Sequence, residues 1–237
     1  MTGSAAAILP AVDRPAPDAA TPALDARQVS RRIDDRQVLD GVSVRVGRGR
    51  IVALAGPNGA GKSSLMRAIA GRLRLDAGEV RIDGQPLAEA RRTRRLGVVP
   101  QEIALYPHLT VRENLAVLGR LAGLSGATLS SRVDEGLTAA GLSERADSLA
   151  RTLSGGMKRR VNLVAGTLHH PALLLLDEPT VGVDAESEAR LHARLRTLRD
   201  GGMGLLVATH NLDEAAAICD DIVIMAAGRV LAAGAVP

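Results

Sequence analysis

Ile51–Ala55 is an unbroken apolar run that stops at Gly56-Pro57-Asn58-Gly59-Ala60-Gly61-Lys62-Ser63. Five apolar residues in succession suit a strand covered on both faces. From Ser63 to Leu73 the apolar residues Leu65, Ile69 and Leu73 recur at helical spacing. Strand, glycine-rich loop and helix in that order, with the pattern G-x-x-x-x-G-K-[ST], build a phosphate cradle. The glycines let successive N–H groups curl toward one anion. The helix starting near Lys62 adds the positive end of its dipole. Lys62 reaches the β- and γ-phosphates, and Ser63 offers a hydroxyl to Mg²⁺. Gly56, Pro57, Asn58, Gly59, Ala60, Gly61, Lys62, Ser63 and Ser64 are therefore the candidate nucleotide-binding residues.

The rest of the chain repeats the strand–helix alternation. Val42, Val44 and Val46 alternate with Ser43 and Arg45 as in a half-buried strand. Val98-Val99, Leu173–Leu176, Leu205–Ala208 and Ile222–Met225 are further strand candidates, with helical stretches between them. This pattern predicts an α/β core with a largely parallel sheet. Residues 108–152 differ: Leu109, Val111, Leu115, Leu118, Leu121, Leu124, Leu129, Val133, Leu137 and Leu142 fall at helical intervals with no strand run among them. They predict a helical subdomain, about 102–152, inserted in the α/β core. Residues 1–22 are rich in Ala and Pro and lack periodicity, which reads as a disordered leader, leaving one domain over 23–237. The first basic residue is Arg14 and the first apolar run ends at Pro10, unlike a signal peptide.

Leu173–Leu176 ends in Asp177-Glu178. Ligands in open parallel sheets bind at the carboxyl ends of strands. Asp177 is thus placed to hold the Mg²⁺ shell, and Glu178 to orient and deprotonate an attacking water. As an isolated pair these acids would read as a capped strand end; the phosphate loop changes the balance.

Composition narrows the function classes. A 46% hydrophobic and 24% charged chain of 237 residues can bury a full core and is not disordered throughout. The longest stretch free of Asp, Glu, Lys and Arg, 161–176, contains Asn162, two histidines and Pro171, so no segment reads as a membrane-spanning helix. Net charge is +4 and only Lys62 and Lys158 are lysines. No clustered basic face points to nucleic acid. With one Tyr and no Phe or Trp, base stacking on aromatic platforms is nearly excluded. The single cysteine, Cys219, excludes an internal disulfide, suits a reducing compartment and reads as a small buried apolar residue.

Leu153-Ser154-Gly155-Gly156-Met157-Lys158-Arg159 can be read locally as a Ser-capped helix start. It is also a Ser/Gly nest at a helix N-terminus, a second phosphate cradle. One nucleotide needs only one cradle, so the second makes sense over a nucleotide held by another subunit.

With these motifs the sequence, over about 24–237, resembles the nucleotide-binding subunits of ABC (ATP-binding cassette) transporters. The resemblance implies a RecA-like P-loop NTPase core, an antiparallel β region and the inserted helical subdomain. It implies ATP and Mg²⁺ as ligands, with Ser63, Gln101 and Asp177 at the metal. Gln101, in Val-Val-Pro-Gln, resembles the glutamine linking the γ-phosphate and Mg²⁺ to the helical subdomain. His210 resembles the switch histidine of the γ-phosphate. Ser154, Gly155 and Gly156 correspond to the signature that meets the ATP of a second ATPase subunit. Thr180-Val181-Gly182-Val183-Asp184 resembles the loop that touches that subunit.

The wording LSGGMKRR and DEPTVGVD is most similar to the branch exporting drugs, polysaccharides or haem-related compounds. The resemblance then implies an integral membrane permease as a separate polypeptide and a peripheral place on the cytoplasmic face of the membrane. An ABC ATPase acting on ribosomes or DNA is the alternative, but the charged linker or coiled coil of those members is not seen. A phosphate-loop kinase would lack LSGGM. The chain departs from the family pattern at Ile33, where an aromatic residue usually stacks on adenine. Ile33 either packs against the base or belongs to the core. Arg91-Arg92-Thr93-Arg94-Arg95 reads as a solvated face, His169-His170 as a loop, and His108 and His192 carry no visible constellation.

Overall fold

The computed structural model describes residues 21–236. The expected leader lies almost wholly outside the described residues. The chain opens with strands β1 (Leu24–Ile33), β2 (Arg36–Val46) and β3 (Ile51–Ala55), then helix α1 (Lys62–Ile69). Strands β4 (Ala77–Ile82) and β5 (Gln85–Pro86), helix α2 (Leu87–Arg92) and strand β6 (Leu96–Val99) follow. Helices α3 (Val111–Leu121), α4 (Gly126–Ala139) and α5 (Gly155–Thr167) come next, with two short 3₁₀ turns before α5. Strand β7 (Leu173–Asp177), helix α6 (Ala185–Asp200), strand β8 (Gly204–Thr209), helix α7 (Leu212–Ile218) and strands β9 (Asp221–Ala226) and β10 (Arg229–Ala235) complete it.

Two sheets result. The larger has the order β10-β9-β3-β8-β7-β6. Its five strands from β9 to β6 are parallel and β10 is antiparallel to β9. The smaller, β2-β1-β4-β5, is antiparallel throughout. Every residue of β3 and β8 is buried, as is β7 up to Asp177, because apolar clusters cover the large sheet on both faces. One face carries α1 and the antiparallel sheet (Leu54, Leu65, Ile69, Leu175, Val42); the other carries α6 and α7 (Leu174, Leu191, Leu195, Ile218). This is the expected α/β fold class with its antiparallel β region. Cys219 is buried there, and burial pushes its thiol up to about 12.

A third cluster joins α3, α4 and α5 through Leu115, Leu129, Val133, Leu137, Val161 and Val164. Thr110 caps α3 in a reciprocal capping box with Glu113. One correction applies to α1. It stops at Ile69 rather than at Leu73, because Gly71 turns out at φ 66° while Leu73 keeps helical spacing by coincidence. A β-bridge between Thr110 and Leu149 also interrupts the region read as purely helical.

Candidate nucleotide site

The phosphate loop leaves β3 at a position only glycine fits. Gly56 has φ 147°, and a Cβ there would lie 2.1 Å from the Met225 carbonyl oxygen. Gly61, at φ 104°, caps α1 without any side chain covering its first N–H groups. Those donors stay available to an anion. Lys62 is buried and its Nζ donates to the carbonyls of Gly56 at 2.6 Å and Pro57 at 3.2 Å, so its ammonium lies against the loop. The loop borders a cavity of about 330 Å³ that also touches Arg36, Gln37, Val38, Glu178, Ala227 and Gly228.

At the end of β7 the backbone turns sharply: Glu178 has φ 46°, a left-handed conformation rare for a residue with a side chain. Its N–H donates to the Ala208 carbonyl at 2.9 Å. The turned side chain meets Gln101 Nε2 at 3.3 Å through one oxygen and His210 Nδ1 at 3.0 Å through the other. Two residues from two other loops thus converge on the Glu178 carboxylate. Burial, and then the adjacent Glu178, push the Asp177 carboxyl above its usual range, against the weaker pull of Arg67 and Lys62. An acid pair in that state gains from a cation.

Ser154 caps α5, its hydroxyl accepting from the Met157 N–H at 3.3 Å. Ser154 and Gly155 are exposed, whereas Gly156 packs so closely on α6 that a Cβ would lie 2.2 Å from Ser187 Oγ. None of the three lines the cavity around Lys62.

The profile of the family described as ABC transporter matches residues 39–181. The chain belongs to the ABC transporter ATP-binding family. It is 38% identical over 213 residues to the linearmycin resistance ATP-binding protein LnrL of Bacillus subtilis, covering 89% of this chain and 68% of that one. It is 41% identical over 214 residues to the Nod factor export ATP-binding protein I of Burkholderia lata, covering 90% and 70%. A solved ATP-binding subunit of an ABC transporter superposes with a TM-score of 0.81 at 35% identity, covering 90% of this chain and 89% of the other. As in the ABC family at large, the activity is ATP binding and hydrolysis.

Other parts of this cassette were not legible as site residues. The β9–β10 turn, Ala227-Gly228, reaches the phosphate loop: the Gly228 N–H donates to the Ala60 carbonyl at 2.9 Å, and the Gly228 carbonyl accepts from the Asp40 N–H at 2.8 Å. Positive φ at both turn residues is its local signature, but its contact with the loop is long-range. Behind His210, Glu214 is buried and accepts from Thr180 and Thr209 hydroxyls at 2.7 Å each. His192 Nε2 lies 3.8 Å from Glu214, so His192 does belong to a constellation, one assembled across α6 and α7. Ile33 is 39% exposed at the end of β1, which removes the core reading. The arginines at 91, 92, 94 and 95 lie on the surface as expected, and His169 is partly buried against the Leu96 carbonyl.

Proposed function

We propose that this cassette binds MgATP in the Gly56–Ser64 cradle, closes against the signature segment of a second cassette, and uses hydrolysis to drive a separate integral membrane permease. Lys62 and the loop N–H groups hold the β- and γ-phosphates. Glu178 accepts a proton from the water that attacks the γ-phosphorus in line as ADP leaves. Gln101 and His210 fix the carboxylate and face the γ-phosphate side. The donor set fits Mg²⁺: one hydroxyl, one carboxylate whose proton affinity is raised, and one amide, with phosphate oxygens completing the shell. Ser63, Asp177 and Gln101 would hold the ion, which neutralises the charge developing on the transferred phosphoryl group.

Among the described residues no helix is long and apolar enough to cross a membrane. A peripheral position on the cytoplasmic face, with the permease as the membrane component, accords with that. The resistance and export names of the two relatives support export and give no support to the ribosome or DNA alternative.

The observation that carries this reading is Glu178 held between Gln101 and His210 beside the Lys62 cradle. Glu178→Gln is expected to lower kcat about 100- to 1,000-fold, as loss of a general base does. ATP binding should persist, and an ATP-bound dimer should accumulate on size-exclusion chromatography. Turnover at the wild-type rate would refute the role of Glu178.

A further inference from the structure

Arg159 lies on α5, just past the Ser154 cap, and its guanidinium crosses to two carbonyls outside any helix or strand. One N–H group donates to the Gln101 carbonyl and another to the Val181 carbonyl, the latter at 3.1 Å. Neither carbonyl accepts a backbone hydrogen bond among the described residues. Asn162, buried on the same helix, donates to the neighbouring Pro100 carbonyl at 3.3 Å. Helix α5 therefore grips two loops at once. One leaves β6 and carries Gln101; the other leaves β7 and carries Glu178 and Val181. Gln101 closes the circuit by donating to Glu178.

The chemistry suits a fixed link. Arginine presents a planar fork of donors and stays protonated, so it holds two acceptors at a set angle. Hydrogen bonds from a charged donor are shorter and about twice as strong as neutral ones. Desolvation lowers the Arg159 pKa from the free value, while the two carbonyls supply acceptors to N–H groups drawn away from water.

We propose that Arg159 is a positioning residue that couples the signature end of α5 to the hydrolytic carboxylate of the same cassette. The proposal rests on the reading above, in which Ser154–Gly156 meet the partner cassette's ATP and Glu178 activates water. Engagement of that ATP shifts the start of α5. Arg159 transmits the shift to the Gln101 and Val181 loops and so sets the Gln101–Glu178 contact. Each cassette then senses the nucleotide on its neighbour before its own carboxylate is aligned.

Steady-state ATPase kinetics on the full chain test this with Arg159→Gln, Arg159→Lys and Glu178→Gln. Arg132→Gln, at a half-exposed arginine of α4 paired with Glu135, serves as the control for loss of a cation away from the site. Arg159→Gln is expected to lower kcat about tenfold with KM for ATP changed less than about twofold, the signature of a contact that matters after binding. Arg159→Lys, which can keep one of the two bonds, should recover part of the loss, and Arg132→Gln should turn over at the wild-type rate. Binding of a fluorescent ATP analogue should be unchanged throughout. Wild-type kcat in folded Arg159→Gln, or KM rising in step with the fall in kcat, overturns the proposal. Should Arg159→Gln fail to fold, the same criteria apply to Arg159→Lys. An inactive Glu178→Gln beside a fully active Arg159→Gln removes the coupling alone, whereas an active Glu178→Gln removes the reading beneath it.

Discussion

Ile33 stands exposed where β1 turns into β2, beside the strand that supplies Arg36, Gln37 and Val38 to the nucleotide cavity. An isoleucine can pack on one face of adenine but offers no π-surface. Stacking of a base on an aromatic ring contributes about 1–3 kcal/mol and tolerates changes of base. On the proposed reading, phosphate and Mg²⁺ contacts should therefore dominate affinity, and GTP should compete with ATP almost equally. Ile33→Tyr is expected to tighten ATP binding about tenfold, equivalent to 1.4 kcal/mol. Titration with a fluorescent ATP analogue measures it, against no tryptophan background. Unchanged affinity would show that the side chain does not reach the base. Residues of this kind were legible at different levels. Lys62 and Ser63 could be read directly, because a phosphate cradle is a local device whose spacing is written in the chain. Gln101 and His210 needed the family resemblance, since each sits alone in its loop. Arg159 and Glu214 gave no signal, because their partners come from other elements.

The elements divide along the same physical line. Strands β3, β7 and β8 are covered on both faces, so they appear as continuous apolar runs. β10 is exposed over most of its length and made largely of Ala and Gly, leaving no alternation to read. Helix α7 is held to the strand before it by Glu214. Burial works against the Glu214 charge, but His192, Thr180 and Thr209 outweigh it and hold the carboxyl below its usual pKa. A carboxyl with a lowered folded-state pKa adds stability above its unfolded value, near 4.5, and loses it as pH falls through the folded value. Glu214→Gln should therefore cost about 1–3 kcal/mol at neutral pH, the range for weakening hydrogen bonds to a buried charge. The gap between wild type and variant should shrink as pH is lowered toward 4. Thermal melts of both proteins across that range decide it; a gap that is constant or widens toward acid would show that Glu214 is not held charged by its partners.

At the scale of the whole molecule, the two phosphate devices do not meet. The cradle at Gly56–Ser64 borders the nucleotide cavity, while Ser154 and Gly155 lie exposed at the start of α5 and contribute nothing to it. The capped start of α5 is exposed, and α5 binds its own loops through Arg159 and Asn162. On the proposed reading, two cassettes arranged head to tail would bring each signature to the other's cradle, and both sites would be shared. Hydrolysis should then require two subunits, and ATPase activity per subunit should rise with protein concentration in the dilute range. Ser154→Arg places a bulky cation at the signature while leaving that subunit's own cradle intact. Mixed with wild type, such a subunit should occupy dimers whose shared site is blocked, pulling the activity of the mixture below the mean of the two preparations. Specific activity that stays constant down to concentrations shown by light scattering to be monomeric, together with simple averaging in the mixture, would mean that one cassette hydrolyses ATP alone.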